Sequence, residues 1–445
     1  MALVYLSQPQ GDLLVGRISR IPGGDQSIFT LDEDYRTSTN PRRPLLSLSL
    51  FDSQGQLKQN TKVTNTKLHP WFSNLLPEGH LRKYIAEQYG FHQERDLPLI
   101  LVLGQDLPGA VIVHLEDEDQ GIFHSSYQEG SERMIGGPLK FSLAGIQLKF
   151  SAVRESTGGL TIPAQGYGGS WIVKLPSEVY QSVPENEFDM MRLARLVGFA
   201  VPEIDLIEMG KIDGLPKGIR REQRAFVIRR FDREASGKRI HMEDFAQIFG
   251  LYPQNKYQSI SYGNIVRVIH ATMGDAGVHE FIARLVFNAA IGNGDMHAKN
   301  WSILYPDGVT PGLAPPYDYV STLSYVNSEE TLALSMAGTK RFQDLSLSLL
   351  KTFARKTHLP EGIVLDAAKR TVDCTWTMWS VYKQMAESPK IIVESIDRHM
   401  RNLPIFREVL GQKVVVSNND ISFQQVNRET QVTPLPSSGA PKGPS

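Results

Sequence analysis

The order of apolar and polar positions divides this chain into a strand-rich part followed by a helix-rich part. Near the start, apolar residues alternate with polar ones between turn residues, which predicts strands at Leu3–Leu6, Leu13–Ile18 and Leu45–Phe51. In Pro70–Gly90 the apolar residues recur at helical spacing, which predicts helices that are interrupted near Pro77. A buried element at Pro98–Leu103 and a strand at Ala110–His114 complete a predicted small α+β domain.

A second group of strands precedes the helical region. Glycine-rich turns bound the first two of them, Leu148–Val153 and Trp171–Leu175. The next two, Ile204–Met209 and Arg224–Phe231, are predicted to form a hairpin. Helices with apolar residues on one side are predicted at Pro184–Leu196, Leu350–His358, Glu361–Gln384 and Ile391–Asn402. From Ile240 the chain is expected to be mainly helical.

Composition is that of a soluble globular protein, with 41% hydrophobic and 21% charged residues among 445. The formal net charge of -1 implies no general attraction to nucleic acid or to anionic membranes. Cys374 is the only cysteine, which excludes an internal disulfide and a thiolate metal site. The N-terminal segment lacks the pattern of a signal peptide, and the apolar run Leu97–Leu103 is too short to span a bilayer. We therefore expect a cytoplasmic protein without a membrane partner.

The stretch Asn288–Asn300, which reads NAAIGNGDMHAKN, carries the most informative polar pattern. Protein kinases use an Asp to accept or orient the proton of the attacking hydroxyl, and an Asn and a later Asp to bind magnesium. Asp295 is therefore the candidate base, and Asn300 and Asp318 are candidate magnesium ligands. Taken alone, an Asp and an Asn at this spacing also suit the caps of a turn and a strand. The third residue, Asp318, favours the catalytic interpretation.

Lys174 stands alone among apolar residues in the predicted strand WIVKLP. A lysine in such a strand needs a counter-charge, which the phosphates of a nucleotide would supply. The structural alternative is an edge-strand lysine that points to solvent. Glu187, in the next predicted helix, is placed either to orient Lys174 or to act as a first-turn acid favoured by the helix dipole.

The stretch Phe141–Phe150 reads FSLAGIQLKF and is predicted to be a turn between strand-like flanks. A small residue such as Gly145 lets backbone N–H groups approach phosphates, although a single glycine is a weak signal. The chain contains no G-x-x-x-x-G-K-[ST] sequence, which argues against a Walker-type NTPase. It also contains no H-E-x-x-H sequence, so His297 is predicted to orient its loop and not to bind zinc.

Seven motifs follow one another in a fixed order: FSLAGIQLKF, WIVKLP, PENEF, RRFDR, GNGDMHAKN, PPYDYVS and LALSMAG. With them, the chain resembles the HipA-type serine/threonine protein kinases, which are the toxins of bacterial HipBA toxin–antitoxin modules. Near the N-terminus, RPLLSLSLF, WFSNLLPEG and GQDLPGAV resemble the N-terminal domain of the same family. The resemblance implies an α+β protein with a two-lobe protein-kinase-like fold, an additional N-terminal α+β subdomain and a mainly helical C-terminal lobe.

The resemblance also implies a division of the chain and two cofactors, ATP and Mg²⁺. Residues 1–115 would form the N-terminal subdomain, and residues 116–232 the strand-rich ATP-binding lobe. Residues 233–410 would form the helical catalytic lobe. The tail 411–445 is predicted to be largely disordered from its composition, and beyond about Asn418 it has no family counterpart.

Residue by residue, the resemblance makes Asp295 the catalytic base, Asn300 and Asp318 the magnesium ligands, and Lys174 the lysine that contacts phosphates. Ser142 matches the serine that family members autophosphorylate. A phosphate there would repel ATP or draw the loop outward, so self-phosphorylation is expected to switch the enzyme off. The other positions assigned to the cofactor, which include the adenine-contacting hinge at 229–231, are Ala144, Gly145, Gln147, Lys149, Arg229, Arg230, Phe231, His297 and Lys299.

The function that the resemblance implies is a growth-inhibiting kinase with a HipB-like helix-turn-helix antitoxin as partner. Operator DNA would be contacted mainly through that antitoxin, and the protein substrate would be one such as an aminoacyl-tRNA synthetase. Two alternatives remain open. A small-molecule phosphotransferase of the aminoglycoside or choline type shares the Asp-x-x-x-x-Asn loop and the later Asp. An inactive kinase fold could serve as a corepressor.

Overall fold

The computed structural model describes residues 1–52, 54–58, 61–116, 149–154, 159–162, 169–215, 222–234, 236–325 and 331–411. The strands in this part of the chain are β1 (Ala2–Leu6), β2 (Leu13–Arg20), β3 (Gln26–Leu31), β4 (Thr64–Asn65), β5 (Val111–Leu115), β6 (Lys149–Arg154), β7 (Leu160–Thr161), β8 (Trp171–Lys174), β9 (Ile204–Glu208), β10 (Ile212–Asp213), β11 (Arg224–Arg229), β12 (His241–Asp244), β13 (Ser302–Tyr305), β14 (Gly312–Leu313), β15 (Thr331–Met336) and β16 (Thr339–Arg341).

The helices are α1 (Glu33–Thr37), α2 (Pro70–Ser73), α3 (Gly79–Gln88), α4 (Asp96–Leu103), α5 (Val183–Val197), α6 (Phe245–Ile248), α7 (Tyr262–Ala290), α8 (Leu347–Thr357), α9 (Glu361–Tyr382), α10 (Lys390–Asn402) and α11 (Pro404–Leu410). The chain forms two compact units. The first unit comprises Met1–Gln181, Leu206–Lys256 and Trp301–Ala314. The second unit comprises Ser182–Asp205, Tyr257–Asn300 and Pro315–Ser445.

The first unit opens with an antiparallel sheet in the order β4-β3-β2-β1-β5. Along β1, fully buried residues alternate with half-buried ones, as the period of two predicts. Trp71 and Phe72 of α2 are buried in the core beneath this sheet. The predicted interruption of the helices in Pro70–Gly90 is confirmed, because α2 ends before Pro77 and α3 begins after it.

The strand predicted at Leu45–Phe51 is wrong. This segment contains a 3-10 turn at Leu48–Leu50. The hydroxyl of Ser47 donates to the carboxylate of Glu243 at 2.6 Å, and the backbone N–H of Leu48 donates to the same carboxylate at 2.9 Å. Glu243 is fully buried and requires donors, so the serine turns inward and the alternating pattern does not mark the face of a sheet.

A second sheet of the first unit has the order β10-β7-β6-β8-β11-β9. β8 lies between β6 and β11 and is antiparallel to both. β9 and β11 are neighbours, as predicted, but the segment between them also contains β10, which pairs in parallel with β7. The region from Ile240, which was expected to be mainly helical, opens with β12, which pairs with β13 in a third sheet.

The second unit is mainly helical. α9 packs against α5, α7, α8 and α11, and β15 and β16 form a two-stranded hairpin. The four helices predicted from periodicity in this unit are present as α5, α8, α9 and α10. Among the described residues, no helix is long and apolar enough to cross a membrane.

The division predicted at residues 115, 232 and 410 stays a prediction. The first compact unit contains both the N-terminal sheet and the second sheet, together with β13. The tail predicted to be disordered, apart from Gly411, lies outside the described residues.

Candidate active site

Helix α7 leads into the loop that carries the candidate base. A capping box closes its first turn, in which Ser261 and Asn264 bond to each other's backbone N–H groups. Beyond Ala290 the backbone enters the left-handed region at Gly292, where φ is 68°. A Cβ at Gly292 would stand 2.4 Å from the side chain of Leu323. Only glycine therefore allows this sharp exit from the helix.

Asn293 is the centre of the loop and is fully buried. Its amide nitrogen donates to Asn288 Oδ1 at 2.8 Å and to the carbonyl oxygen of Asp318 at 3.3 Å. Its Oδ1 accepts from the backbone N–H of Asp295 at 3.0 Å. One neutral amide thus joins the end of α7, the candidate base and a candidate metal ligand.

The backbone on the other side of the candidate base is held as well. The carbonyl oxygen of Asp295 accepts from Asn300 Nδ2 and from the backbone N–H of His297, both at 2.8 Å. The hydroxyl of Thr322 accepts from the backbone N–H of Gly294 at 3.0 Å. Because the amide nitrogen of Asn300 is engaged in the loop, Oδ1 is the atom that it can offer to a cation.

The carboxylate of Asp295 differs from this buried framework because it faces solvent. Its side chain is 46% exposed, whereas Asn293 is fully buried. The hydroxyl of Tyr257 donates to Asp295 Oδ1, and His297 Nε2 lies 3.8 Å from the same oxygen. The rings of Tyr257 and His297 meet edge to face, with centroids 4.9 Å apart and planes at 83°. A rigid backbone below an accessible carboxylate suits a group that exchanges a proton with a substrate.

Asp318 has a strained backbone, with φ at 56° although it is not a glycine. Such a conformation costs about 1–3 kcal/mol and persists only where the surroundings enforce it. The segment that follows is held by Asn186 of α5, whose amide donates to the carbonyl of Ser321 at 2.9 Å. The backbone N–H of Ser321 donates to Asn186 Oδ1 at 3.0 Å. Helix α5 therefore anchors the chain just beyond the candidate metal ligand.

Lys174 lies at the end of β8 in the first unit and is buried. It stands opposite Lys149 of β6 and Phe226 of β11 in the sheet register. Its Nζ is 5.6 Å from the centroid of the Phe226 ring. The register thus brings two lysines to neighbouring positions of the sheet. The role of Lys174 and Lys149 in contact with phosphates stays a prediction.

Arg230 is one of the three predicted hinge residues, and its guanidinium group belongs to a buried ion cluster. It donates to both carboxylate oxygens of Asp232 at 2.9 Å and to Asp106 Oδ1 at 3.0 Å. Arg233 donates to the same two carboxylates at 2.9 and 2.8 Å. Burial works to lower the pKa of Arg230, but Asp232 and Asp106 outweigh it and the pKa is raised. Any contact of Arg230 with adenine would therefore have to use its backbone.

The remaining predicted residues are placed as follows. Glu187 is buried on α5, and its pairing with Lys174 stays a prediction. The carbonyl of Lys299 accepts from the hydroxyl of Tyr317 at 2.8 Å. Within the described part of the chain, no group of three or more His, Cys, Asp or Glu residues could hold a metal ion. The predicted positions that lie outside the described residues are Ser142, Ala144, Gly145 and Gln147.

Four residues of this site were missed by the sequence analysis: Asn186, Tyr257, Asn293 and Thr322. Asn293 lies within the motif GNGDMHAKN, where its position between two glycines is the signal that could have indicated it. The partners of the other three are far away in the sequence, and no local pattern indicates them.

The chain matches known families along most of its length. Residues 7–114 match the HipA N-terminal domain, and residues 141–379 match the HipA-like C-terminal domain. A protein of Sinorhizobium fredii, Y4dM, whose name describes it as a candidate kinase, is 45% identical over 386 residues. That alignment covers 86% of this chain and 93% of the relative. The serine/threonine-protein kinase toxin HipA of Shewanella oneidensis is 25% identical over 402 residues, which are 81% of this chain and 85% of that protein.

The solved structure of a complex of HipA, HipB and operator DNA from Shewanella oneidensis MR-1 contains a chain of similar fold. The TM-score is 0.67 at 21% identity, and the match covers 95% of this chain and 100% of that one. The predicted fold class, α+β with a kinase-like fold and an additional N-terminal subdomain, is thereby confirmed. Because both domain matches lie in the expected order and the 45% identical relative is covered almost completely, the chain belongs to the HipA-like family.

Proposed function

We propose that this protein is a serine/threonine protein kinase that uses ATP and magnesium and acts as the toxin of a HipBA-type pair. The observation that carries the proposal is the solvent-open carboxylate of Asp295 on a loop whose backbone is held by buried neutral groups. Asn300 and Asp318 are joined to the same network. Phosphoryl transfer requires position and counter-charge more than covalent chemistry, and this loop provides position.

In the proposed reaction, the oxygen of a serine or threonine hydroxyl bonds to the γ-phosphorus of ATP while the bond to the leaving ADP oxygen breaks. Asp295 accepts the proton of that hydroxyl. Asn300 Oδ1 and the carboxylate of Asp318 would hold magnesium, which neutralises phosphate charge when it is bound. Lys174 and Lys149, which face each other across β8 and β6, add positive charge for the phosphates.

A HipB-like helix-turn-helix antitoxin is the proposed partner, with operator DNA contacted mainly through it. The solved relative is part of a complex with HipB and operator DNA, which supports this assignment. The formal net charge of -1 suits a protein that meets DNA through a partner. An aminoacyl-tRNA synthetase is the proposed substrate, inhibition of translation is the proposed outcome, and autophosphorylation of Ser142 is the proposed off-switch.

The test is to incubate the purified protein with Mg-ATP and to measure its intact mass. The expected result is a gain of one phosphate that maps to Ser142, and Asp295→Asn should abolish it because the proton acceptor is lost. Asp307→Asn is a matched control, since Asp307 is a carboxylate that caps a surface turn through Val309 and Thr310. Expression of the wild type or of Asp307→Asn should arrest growth, whereas expression of Asp295→Asn should not.

Two results would contradict the proposal. Equal phosphorylation of Asp295→Asn and wild type would remove Asp295 from the reaction. Growth arrest by Asp295→Asn at the wild-type level would separate toxicity from phosphoryl transfer.

A further inference from the structure

Tyr257 presents a hydroxyl to the candidate base, although none of the kinase-like motifs contains it. Its phenolic O–H donates to Asp295 Oδ1. Its ring rests edge to face on His297, which lies beside the same carboxylate oxygen. The residue is 40% exposed. A phenol in this place makes the same kind of contact that the hydroxyl of an acceptor substrate would make.

Asp295 does not depend on Tyr257 for its position. Its backbone N–H donates to Asn293, and its carbonyl accepts from Asn300 and His297. These partners are buried, whereas Tyr257 is in contact with solvent. The tyrosine therefore adds little to the placement of the carboxylate, but it takes a hydrogen-bonding position on Oδ1 that a hydroxyl or a water molecule would otherwise take.

We propose that Tyr257 is a specificity residue that keeps water from Oδ1 of Asp295 until a substrate hydroxyl displaces the phenol from that oxygen. This inference rests on the proposed function, in which Asp295 is the base. Water is the commonest competing acceptor in phosphoryl transfer, and its reaction would waste ATP in the absence of substrate. Tyr257 is 40% exposed, and a substrate hydroxyl that replaces the phenol on Oδ1 would restore the hydrogen bond to Asp295.

The test compares Tyr257→Phe with wild type in hydrolysis of Mg-ATP by water, measured as release of inorganic phosphate. The change removes only the hydroxyl, and a hydrogen bond to a charged group corresponds to roughly a 10- to 150-fold change in rate. We expect kcat for hydrolysis to rise by about that factor while KM for Mg-ATP is unchanged. Tyr89→Phe is the matched control, since Tyr89 is 44% exposed and follows the last turn of helix α3 in the first unit.

Asp295→Asn and the double variant Tyr257→Phe/Asp295→Asn are measured alongside. If Tyr257 acts by shielding Oδ1 of Asp295, the increase in kcat for hydrolysis should be absent when Asp295 is also replaced. An unchanged or reduced kcat in Tyr257→Phe, with the same melting temperature as wild type, would overturn the inference and leave the proposed function intact. Undiminished hydrolysis by Asp295→Asn would instead overturn the assignment of Asp295, and with it the proposed function.

Discussion

Two buried polar networks, one in each unit, are built from different kinds of groups. In the second unit, the loop around Asp295 is held by neutral groups, among which Asn293 and Asn300 are buried. In the first unit, Arg230 and Arg233 share the carboxylates of Asp106 and Asp232, and all four side chains are at most 9% exposed. The side chains that hold the loop around Asp295 are neutral, whereas the four side chains of the ion cluster are all charged.

If Asp295 is the base, as proposed, the difference bears on catalysis. Neutral amides hold the backbone N–H and carbonyl of Asp295 and leave its carboxylate for contact with a substrate. The guanidinium groups of the ion cluster donate to the two carboxylates and to neighbouring hydroxyl and carbonyl oxygens, which leaves little for a ligand. Asp106 and Arg230 are 124 residues apart, so the cluster fastens the N-terminal subdomain to the second sheet.

Removal of one charge from the ion cluster should have the largest effect on stability. Arg230→Leu leaves Asp106 and Asp232 buried with Arg233 as their remaining partner in the cluster. We expect a loss of about 3–5 kcal/mol in the free energy of unfolding, because an uncompensated buried charge is costly. Urea denaturation would measure it.

The matched control is Arg17→Leu, which breaks a 3.9 Å ion pair whose arginine is 47% exposed. It should change the free energy of unfolding by less than about 1 kcal/mol. If the two variants lost similar amounts of unfolding free energy, burial would not determine how much the ion cluster contributes to stability.

Removal of the central amide of the loop should cost less stability but more activity. Asn293→Ala deprives Asn288 Oδ1, the Asp295 N–H and the Asp318 carbonyl of a buried partner. We expect a loss of about 2–3 kcal/mol in stability and a rate at least about 100-fold lower, since a small misplacement of a base is expensive. Urea denaturation and the Mg-ATP assay would measure the two effects. Asn402→Ala, at an exposed amide that accepts from Arg407, is the control and should alter neither.

A rate near that of wild type in Asn293→Ala would mean that the loop keeps its geometry without the central amide. The hydrogen bonds of Asn293 would then contribute to stability and not to activity, and the loop and the ion cluster would not differ in function.

A third, smaller effect concerns a neutral histidine in the charge-rich unit. Burial lowers the pKa of His241 to about 4, and its ring nitrogen Nε2 donates to the carbonyl of Leu46 at 2.8 Å. The unfolded chain takes up a proton below the ordinary pKa of about 6.5, whereas the folded chain does so only near 4. Stability should therefore fall as the pH drops through this window, by roughly 2 kcal/mol at pH 5 from this residue.

His241→Gln should remove that part of the pH dependence, measured by denaturation at pH 7 and pH 5. Glu243 works in the opposite direction, because burial raises its pKa, but it is present in both proteins and cancels in the comparison. His92→Gln, at an exposed histidine, is the control and should leave the slope as in wild type. If the change in stability between pH 7 and pH 5 is the same in His241→Gln as in wild type, other groups cause it. His69 is one such group, because burial lowers its pKa to about 4 as well.

Local signals in the sequence were sufficient for much of the fold. Helices such as α5 and α9 follow from apolar residues on one side, and β1 and β2 follow from alternation. The alternating segment Leu45–Phe51 misled the prediction, because Ser47 is polar and yet buried against Glu243. The pattern of apolar and polar residues cannot distinguish a serine that faces solvent from one that serves a buried carboxylate.

The sequence by itself determined the family, because its motifs follow one another in a fixed order, and it indicated the candidate chemistry through Asp295, Asn300 and Asp318. Only the tertiary structure decided what surrounds them. Asn186 meets Ser321 across 135 residues, and Tyr257 meets Asp295 across 38. Hydrogen bonds over such distances depend on how helices and loops pack, and no periodicity along the chain encodes that packing.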